Sequence, residues 1–354
     1  MPLQKSHITE LGTALGLRFP DLPQALRTAL PDVGVVGLDQ DTWQELRAGS
    51  HSPENQRLLS IAFENGRFLQ EVVMRRPALS VEWLGQVRQP FHADLPVDLR
   101  ADEVYLVSCK YGSRILHNLS PAALFVGLLS GARRRGNPNW FQQVSPESYR
   151  RFYRACAEYA SSTNGGWQIP PEECALSEND RRELAGCLQP LPSALEPEYR
   201  QLCREVSDRS AARWNASIDQ YGDRLHMLWR LLRISSAQYY LLGAVRTEPV
   251  RIKVQSTMDW RRSYSLQSFT VSPADVGQPR VNWGATVLDR AHRRSHTISG
   301  HVEVRWSHGK FLQPPEAKVY LDSDLRTAPG YVNLVSSPSR DAVSVGGSLE
   351  LPFN

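Results

Sequence analysis

The hydrophobic positions of this chain repeat with a helical period, then with a strand period, and each change marks a boundary. In the first fifty residues Leu11, Leu15, Leu17, Leu22 and Leu26 recur at helical spacing, broken by Pro20, Pro23 and Pro31. This predicts a helical preface without evident chemistry. His51-Ser52-Pro53-Glu54 reads as a helix start, with Ser52 at the N-cap and proline in the first turn. The predicted helix covers 54–74, with Leu58, Leu59, Ala62, Leu69, Val72 and Val73 as its apolar stripe and Glu64, Phe68 and Glu71 on a neighbouring face. Asn65-Gly66 interrupts it. A glycine inside a helix costs about 1 kcal/mol relative to alanine, so a close approach is expected there.

Arg75-Arg76-Pro77 ends that helix and the period shortens to two. The alternation predicts a strand over 78–84, a turn at Gly85-Gln86 and a second strand near Phe91. A polar turn is expected at Leu99-Arg100-Ala101-Asp102-Glu103, followed by a third strand rising through Val104-Tyr105-Leu106-Val107 to Ser108-Cys109-Lys110. Ser120-Pro121 opens a helix over 121–129, and Ser145-Pro146-Glu147 opens another that reaches Tyr159. Ser177 starts a short helix to Cys187, and Pro190, Pro192 and Pro197 form a stiff connection. A helix or helix pair over 197–233 carries Trp214, Ile218, Tyr221, Leu225, Leu228 and Leu232 at intervals of three and four, the mark of a buried stripe. His117 and His226 are expected to pack. From Ala237 onward short apolar runs separated by Gly, Pro and Ser predict antiparallel strands, and the Ser- and Pro-rich residues after Gly330 an irregular tail.

The expected fold class is α+β. The divisions are a helical extension at 1–50, a helix, three-strand meander and helix core at 51–165, a helical region at 166–236, an antiparallel β domain at 237–330 and a tail at 331–354. With 354 residues the chain is long enough for two or three domains. Five cysteines with no CxxC pair argue against a zinc site or a disulfide framework. No apolar run reaches the ~20 residues of a membrane span, and MPLQKSHITELG has no apolar signal core, so a cytoplasmic protein with no membrane partner is expected. The net charge of +4 is uneven, because residues 246–310 hold eleven Lys/Arg and five Asp/Glu. That basic segment fits a nucleic-acid partner. All but five of the 41 basic residues are arginine, suited to bidentate contact with phosphate or guanine, although codon bias would give the same excess.

Candidate chemistry lies in the third strand. Alternation puts Ser108 and Lys110 on one face and Cys109 on the other, and an antiparallel neighbour carrying Asp94 can bring a carboxylate to the same edge. Carboxylates that hold a divalent ion, beside a lysine that orients a water or steadies charge, suit phosphodiester hydrolysis. An ordinary hairpin with a surface salt bridge would place the same two residues. The stretch FHADLPVDLRADEVYLVSCKYGSRILHN resembles the PD-(D/E)xK nuclease superfamily, to which many restriction endonucleases belong, and the resemblance spans roughly residues 55–130. It implies a restriction-endonuclease-like core in which Asp94 takes the aspartate position and Lys110 the lysine position. Ser108 stands where the family has Glu or Asp. Asn118 to Arg135 holds no acid, so a further carboxylate is sought in Glu64 or Glu82, with Asp98 third.

The resemblance therefore implies a metal-dependent endonuclease using Mg²⁺ or Mn²⁺ on DNA, in restriction or phage defence. Asp94, Glu64 and Glu82 would be metal ligands, Lys110 would assist the water, and Ser108 would make a neutral contact. The alternative is a catalytically inactive nucleic-acid-binding subunit, and RNA is not separable from DNA. Expected nucleic-acid contacts are Arg133, Arg134 and Arg135 in a glycine-flanked loop, Asn118, and the pairs Arg261-Arg262 and Arg293-Arg294. Asn118 and Ser120 would alternatively cap the following helix. The chain has no P-loop, so an ATPase or helicase would be a separate subunit, and paired cuts of duplex DNA would favour a homodimer. Glu316-Ala317-Lys318, thirteen residues after Glu303, fits a loose E…ExK pattern and is read as structural or as part of a recognition lobe.

Overall fold

The computed structural model describes residues 4–30, 32–85, 95–111, 115–128, 139–163, 167–245 and 248–334. Helix α1 (Lys5–Arg18) is followed by the short α2 (Leu22–Arg27), strand β1 (Val35–Val36) and α3 (Gln40–Gly49). Helix α4 (Pro53–Leu69) runs on as a π-helical turn, Gln70–Met74, and ends at Arg75 in the left-handed region with φ 58°. It passes through Asn65-Gly66 without a break because α1 crosses it there. A Cβ on Gly66 would stand 2.2 Å from the Thr13 carbonyl oxygen, and one on Gly16 would stand 2.0 Å from that of Phe63. Glycine is the only residue that allows the two backbones so close.

Three consecutive antiparallel strands follow: β2 (Val81–Trp83), β3 (Leu99–Ala101) and β4 (Tyr105–Tyr111). Leu99-Arg100-Ala101, expected as turn, is strand. Leu99 and Ala101 are fully buried against α1 while Arg100 faces the other way. The turn is confined to Asp102-Glu103-Val104, with φ 47° at Asp102 and 62° at Glu103. Asp102 secures it by accepting from the N–H groups of Leu79 at 2.8 Å and Ser80 at 3.0 Å and by an ion pair with Arg76 at 2.6 Å.

Strand β5 (Ile115–Leu119) then leaves this sheet, and a helical turn, Ala123–Gly127, leads to α5 (Trp140–Val144) and α6 (Pro146–Thr163). Helices α7 (Glu178–Cys187), α8 (Glu196–Tyr221) and α9 (Arg224–Leu232) complete the middle region, with Gly222 in the left-handed conformation between α8 and α9. Within the expected stripe Trp214, Ile218, Leu228 and Leu232 are buried, but Tyr221 and His226 are exposed because the helix breaks between them. The remaining elements are β6 (Tyr239–Val245), β7 (Glu248–Val254), α10 (Thr257–Ser263), β8 (Tyr264–Asp275), β9 (Pro279–Asp289), β10 (Arg294–Arg305), β11 (Glu316–Leu321) and β12 (Tyr331–Asn333).

The fold is mixed α+β, and each of its two sheets draws strands from distant parts of the chain. The first has the order β1-β2-β3-β4-β6-β7-β12 and the second, antiparallel throughout, β5-β11-β10-β9-β8. Strand β6 therefore lies parallel to β4 and extends the meander, with Gly243 opposite Lys110. Strands β6 and β7, expected in a C-terminal β domain, and β12, expected in an irregular tail, belong to the first sheet, and β5, expected in the first unit, belongs to the second. The reason is burial: all of Tyr239–Ala244 is buried, as befits a central strand with both faces covered. One apolar core joins α1, α3 and α4 to the first sheet through Leu11, Leu15, Trp43, Leu59, Val81, Val107 and Leu242. The other joins the middle helices to the second sheet through Trp140, Phe152, Trp214, Trp283 and Val302.

Candidate active site

Strand β4 outruns its neighbour β3, and that overhang creates the site. Leu99 pairs with Val107, so Asp98 lies just beyond the paired segment, where its own N–H still bonds the Val107 carbonyl at 2.9 Å. A strand's N–H groups point along the plane of the sheet, and the Cys109 N–H would have no β3 partner there. Asp98 fills the gap: its Oδ2 accepts from Cys109 N at 2.6 Å and from Ser108 Oγ at 3.2 Å. Ser108 is 1% exposed, so its hydroxyl serves to fix the carboxylate.

On one side of this edge stands α1. Glu10 is its only acid, and its Oε2 accepts from Trp83 Nε1 at 2.8 Å. Burial raises the Glu10 carboxyl to about 7, helped by the charge of Asp98 and opposed by the Trp83 hydrogen bond and Lys110. Burial also raises Asp98, and the Cys109 N–H, Lys110, Ser108 and Arg233 offset it only in part. Cys109 faces α1, with Sγ 3.7 Å from Thr13 Oγ1, and its thiol is pushed well up by burial.

On the opposite face Lys110 and Ser108 line a cavity of about 380 Å³. Burial pulls the Lys110 ammonium down, Asp98 supports it, and Arg233 opposes it. Arg233 ends α9 with φ 56° and donates from Nη1 to the Leu116 carbonyl at 3.0 Å. Two carboxylates and an amine, each pushed toward its neutral form and near enough to act on one another's charge, thus surround one end of a sheet, Glu10 on the α1 side and Lys110 on the cavity side. Displacement of this kind is a feature of functional sites and of structural charge networks alike. Asn65 supports the arrangement from α4: fully buried, it donates to Tyr111 Oη at 3.1 Å and the Gly243 carbonyl at 2.8 Å, and accepts from Arg251 Nε at 2.8 Å.

Of the residues singled out from sequence, Ser108 and Lys110 are at this site, and Asp98, the third choice of carboxylate, faces them. Asp94 lies outside the described residues, as do Arg133, Arg134 and Arg135. Glu82 does not reach the site. It pairs across the sheet with Arg100 at 2.5 Å, opposite Leu106 rather than Lys110, about 13 Å back along the strand. Glu64 is exposed on α4, where its charge acts on Arg251. Asn118 is on β5 in the second sheet, opposite Lys318 and hydrogen-bonded to Glu316, and Ser120 alone caps the helical turn. His117 packs, bonded to the Arg230 carbonyl at 2.6 Å and pulled down to about 3 by burial. Glu10 was not foreseen, and its signal was a lone acid in a helix whose other residues from Ile8 to Leu17 are uncharged.

Arg261-Arg262 close α10, and Arg293 and Arg294 lie at the β9–β10 turn, all four exposed. Arg290 N bonds the Ser263 carbonyl at 2.9 Å and Tyr264 pairs with Asp289, which brings both pairs to one corner of the second sheet. Among the described residues no three His, Cys, Asp or Glu side chains form a metal-binding group, and no helix is long and apolar enough to cross a membrane. Comparisons of the chain with protein-family models, curated proteins and solved structures found no match.

Proposed function

We propose that the protein is a metal-dependent phosphodiesterase acting on nucleic acid, with DNA as the substrate to test first. The observation that carries this reading is the placing of Glu10, Asp98 and Lys110 around the overhang of β4, near enough to act on one another's charge, with both acids raised by burial and Lys110 lining a cavity. The donor set suits a hard divalent cation such as Mg²⁺ or Mn²⁺, which is commonly held by one or two carboxylates and completes its shell with water and substrate phosphate. Glu10 and Asp98 would hold it. When bound, the ion would polarise the phosphoryl oxygen and acidify a water.

The side chains account for the rest. The Cys109 N–H and Ser108 Oγ fix Asp98 so that its carboxylate needs no reorganisation on binding. Lys110, across the same edge, would orient the attacking water or balance charge on the phosphate. The arginine corner would hold the phosphate backbone at a distance from the chemistry. A second reading is favoured by Ser108, a hydroxyl where the resemblance expects an acid: a binding subunit that no longer cuts.

Cleavage of supercoiled and single-stranded DNA in Mg²⁺, Mn²⁺ or EDTA separates the readings. The expected result is metal-dependent cutting that is lost in Asp98→Ala, Lys110→Ala and Glu10→Gln while DNA binding persists. Binding without cutting under every metal condition would remove the enzymatic reading and leave the binding subunit.

A further inference from the structure

A second cavity, of about 360 Å³, adjoins the one beside Lys110, because Arg233 lines both. Strand β5, helix α9, the turn that follows it and the start of α10 enclose this second space. The two differ in charge. The cavity beside Lys110 mixes its cations with Asp322 and Asp324. The second has Arg230 and Arg233, the hydroxyls of Ser235, Ser236 and Thr257, and no acid among the described residues that line it.

The dipole of α9 accounts for one cation at its C-terminal end, where the last carbonyls carry partial negative charge. Three cations gather here, however. Burial holds the His117 imidazole neutral, and Arg233, Arg230 and Lys110 each push it the same way, so all three stand close around one ring. Asp98, the acid that answers Lys110 and Arg233, is itself driven toward its neutral form by burial. An anion placed among clustered cations lowers their mutual repulsion. Arg233 already donates Nη1 to the Leu116 carbonyl, but a guanidinium carries five N–H donors in a fork that matches the oxygens of a phosphate.

The cavity also lies on a path. Trp229 lines it, and the Arg261 guanidinium covers the Trp229 ring, 4.8 Å from its centroid. Arg261 belongs to the arginine corner. Lys110, Arg233, Arg230 and Arg261 thus form a series that leads from the candidate active site to that corner.

We infer that this second cavity holds one phosphate of a nucleic-acid strand, the group between the phosphate at Lys110 and those at the arginine corner. Arg230 and Arg233 take its oxygens, and Leu119 and Ile234 give the attached sugar an apolar wall. The preference for an anion stands on the lining alone. The choice of a strand among phosphate compounds rests on the nucleic-acid reading proposed above. A free phosphate offers the same oxygens.

Equilibrium binding in EDTA tests the inference without cleavage. The probes are inorganic phosphate and a short labelled oligo-dT. The expected result is saturable phosphate binding that Arg230→Gln weakens at least about tenfold. Ser236 is exposed at the cavity wall and carries the test of charge. Ser236→Asp should weaken phosphate binding at least about tenfold, and the neutral Ser236→Asn by less than about threefold, with the melting temperature unchanged in both. The same response to Ser236→Asp in a Lys110→Ala background separates this cavity from its neighbour. Phosphate that displaces oligo-dT, with both weakened by Ser236→Asp, identifies the strand as the source. Phosphate bound without displacing oligo-dT identifies a free phosphate compound and overturns the strand. No saturable phosphate binding, or binding that Arg230→Gln and Ser236→Asp leave unchanged, overturns the site itself. Charge-sensitive displacement in a protein that never cuts would support the site and remove the enzymatic reading alone.

Discussion

Two parts of this molecule carry acids and a lysine on adjacent strands, and they treat charge in opposite ways. In the second sheet Glu303 stands opposite Lys318 and takes contacts from Gln278 at 2.9 Å and Arg305 at 3.4 Å. Nearby, Glu316 accepts from Ser307 and pairs with Lys318 at 3.6 Å. Burial there raises Glu316, but the hydrogen bonds from Ser307 and Asn118 outweigh it and leave the carboxyl below its ordinary value. At the overhang of β4 the balance reverses, and burial wins at both Glu10 and Asp98. The E…ExK pattern of the second sheet is a neutralised network that holds strands together. The carboxylates of the first lean toward their protonated forms because burial outweighs the hydrogen bonds and Lys110.

The sharpest way to break this contrast is to remove a group from each. On the proposed function, Asp98→Ala and Lys110→Ala should each reduce metal-dependent cleavage by about 10³, whereas Glu316→Gln should change it by less than about threefold. Equal losses at both places, measured by initial rates on plasmid DNA, would erase the distinction. Next in size is the support beneath the site. Asn65→Ala leaves the Gly243 carbonyl and Arg251 without their buried partner and should cost about 3 kcal/mol in urea unfolding. Asn118→Ala, half in solvent on the other sheet, should cost under about 1 kcal/mol.

The pH dependence of stability comes third. Glu10 rises from its ordinary value of 4.5 to about 7 in the folded protein, so the folded chain keeps this proton longer than the unfolded one. Without metal, stability should therefore fall as pH rises from about 4.5 to about 7, by an amount on the order of 2 kcal/mol. Glu10→Gln should flatten the slope, and added Mn²⁺ should stabilise the protein most above pH 7, where the carboxylate is free to bind it. Melting curves across pH that superimpose for the two proteins would show that Glu10 is not held near 7. The smallest expected effect belongs to the arginine corner. Arg293→Ala or Arg294→Ala should weaken DNA binding a few-fold without regard to sequence and reduce the salt slope by about one.

Much of the fold was legible where a signal is local. The Ser52-Pro53 start of α4 follows from proline placement and the helical 197–233 region from periodicity, although the Ser52 side chain makes no capping hydrogen bond and the break at Gly222 was not foreseen. The site was half legible. Ser108 and Lys110 were found from alternation, but their acidic neighbour depends on register, and the register depends on where the turn lies. Asp102 and Glu103 adopt positive φ without a glycine to announce it, so the turn reads as longer than it is and swallows the short strand that leads out of Asp98. Glu10 and the β4–β6 pairing were not legible, because both arise from contacts between residues far apart in the chain. No period in a sequence says which strand will be its neighbour.

The exchange of strands between the two sheets has a consequence for how the protein comes into being. A ribosome that has released the meander has made Asp98, Ser108 and Lys110, but β6 and β7 are still unsynthesised, and β4 has an open edge where Gly243 will lie. The cavity lacks its floor until Leu321 and Arg326 emerge. A nascent or truncated chain therefore carries the chemical groups without the enclosure that tunes them. If the site cuts nucleic acid, topology alone delays that capacity until β6, β7 and the strands of the second sheet have been made, a safeguard against damage to the cell that makes it.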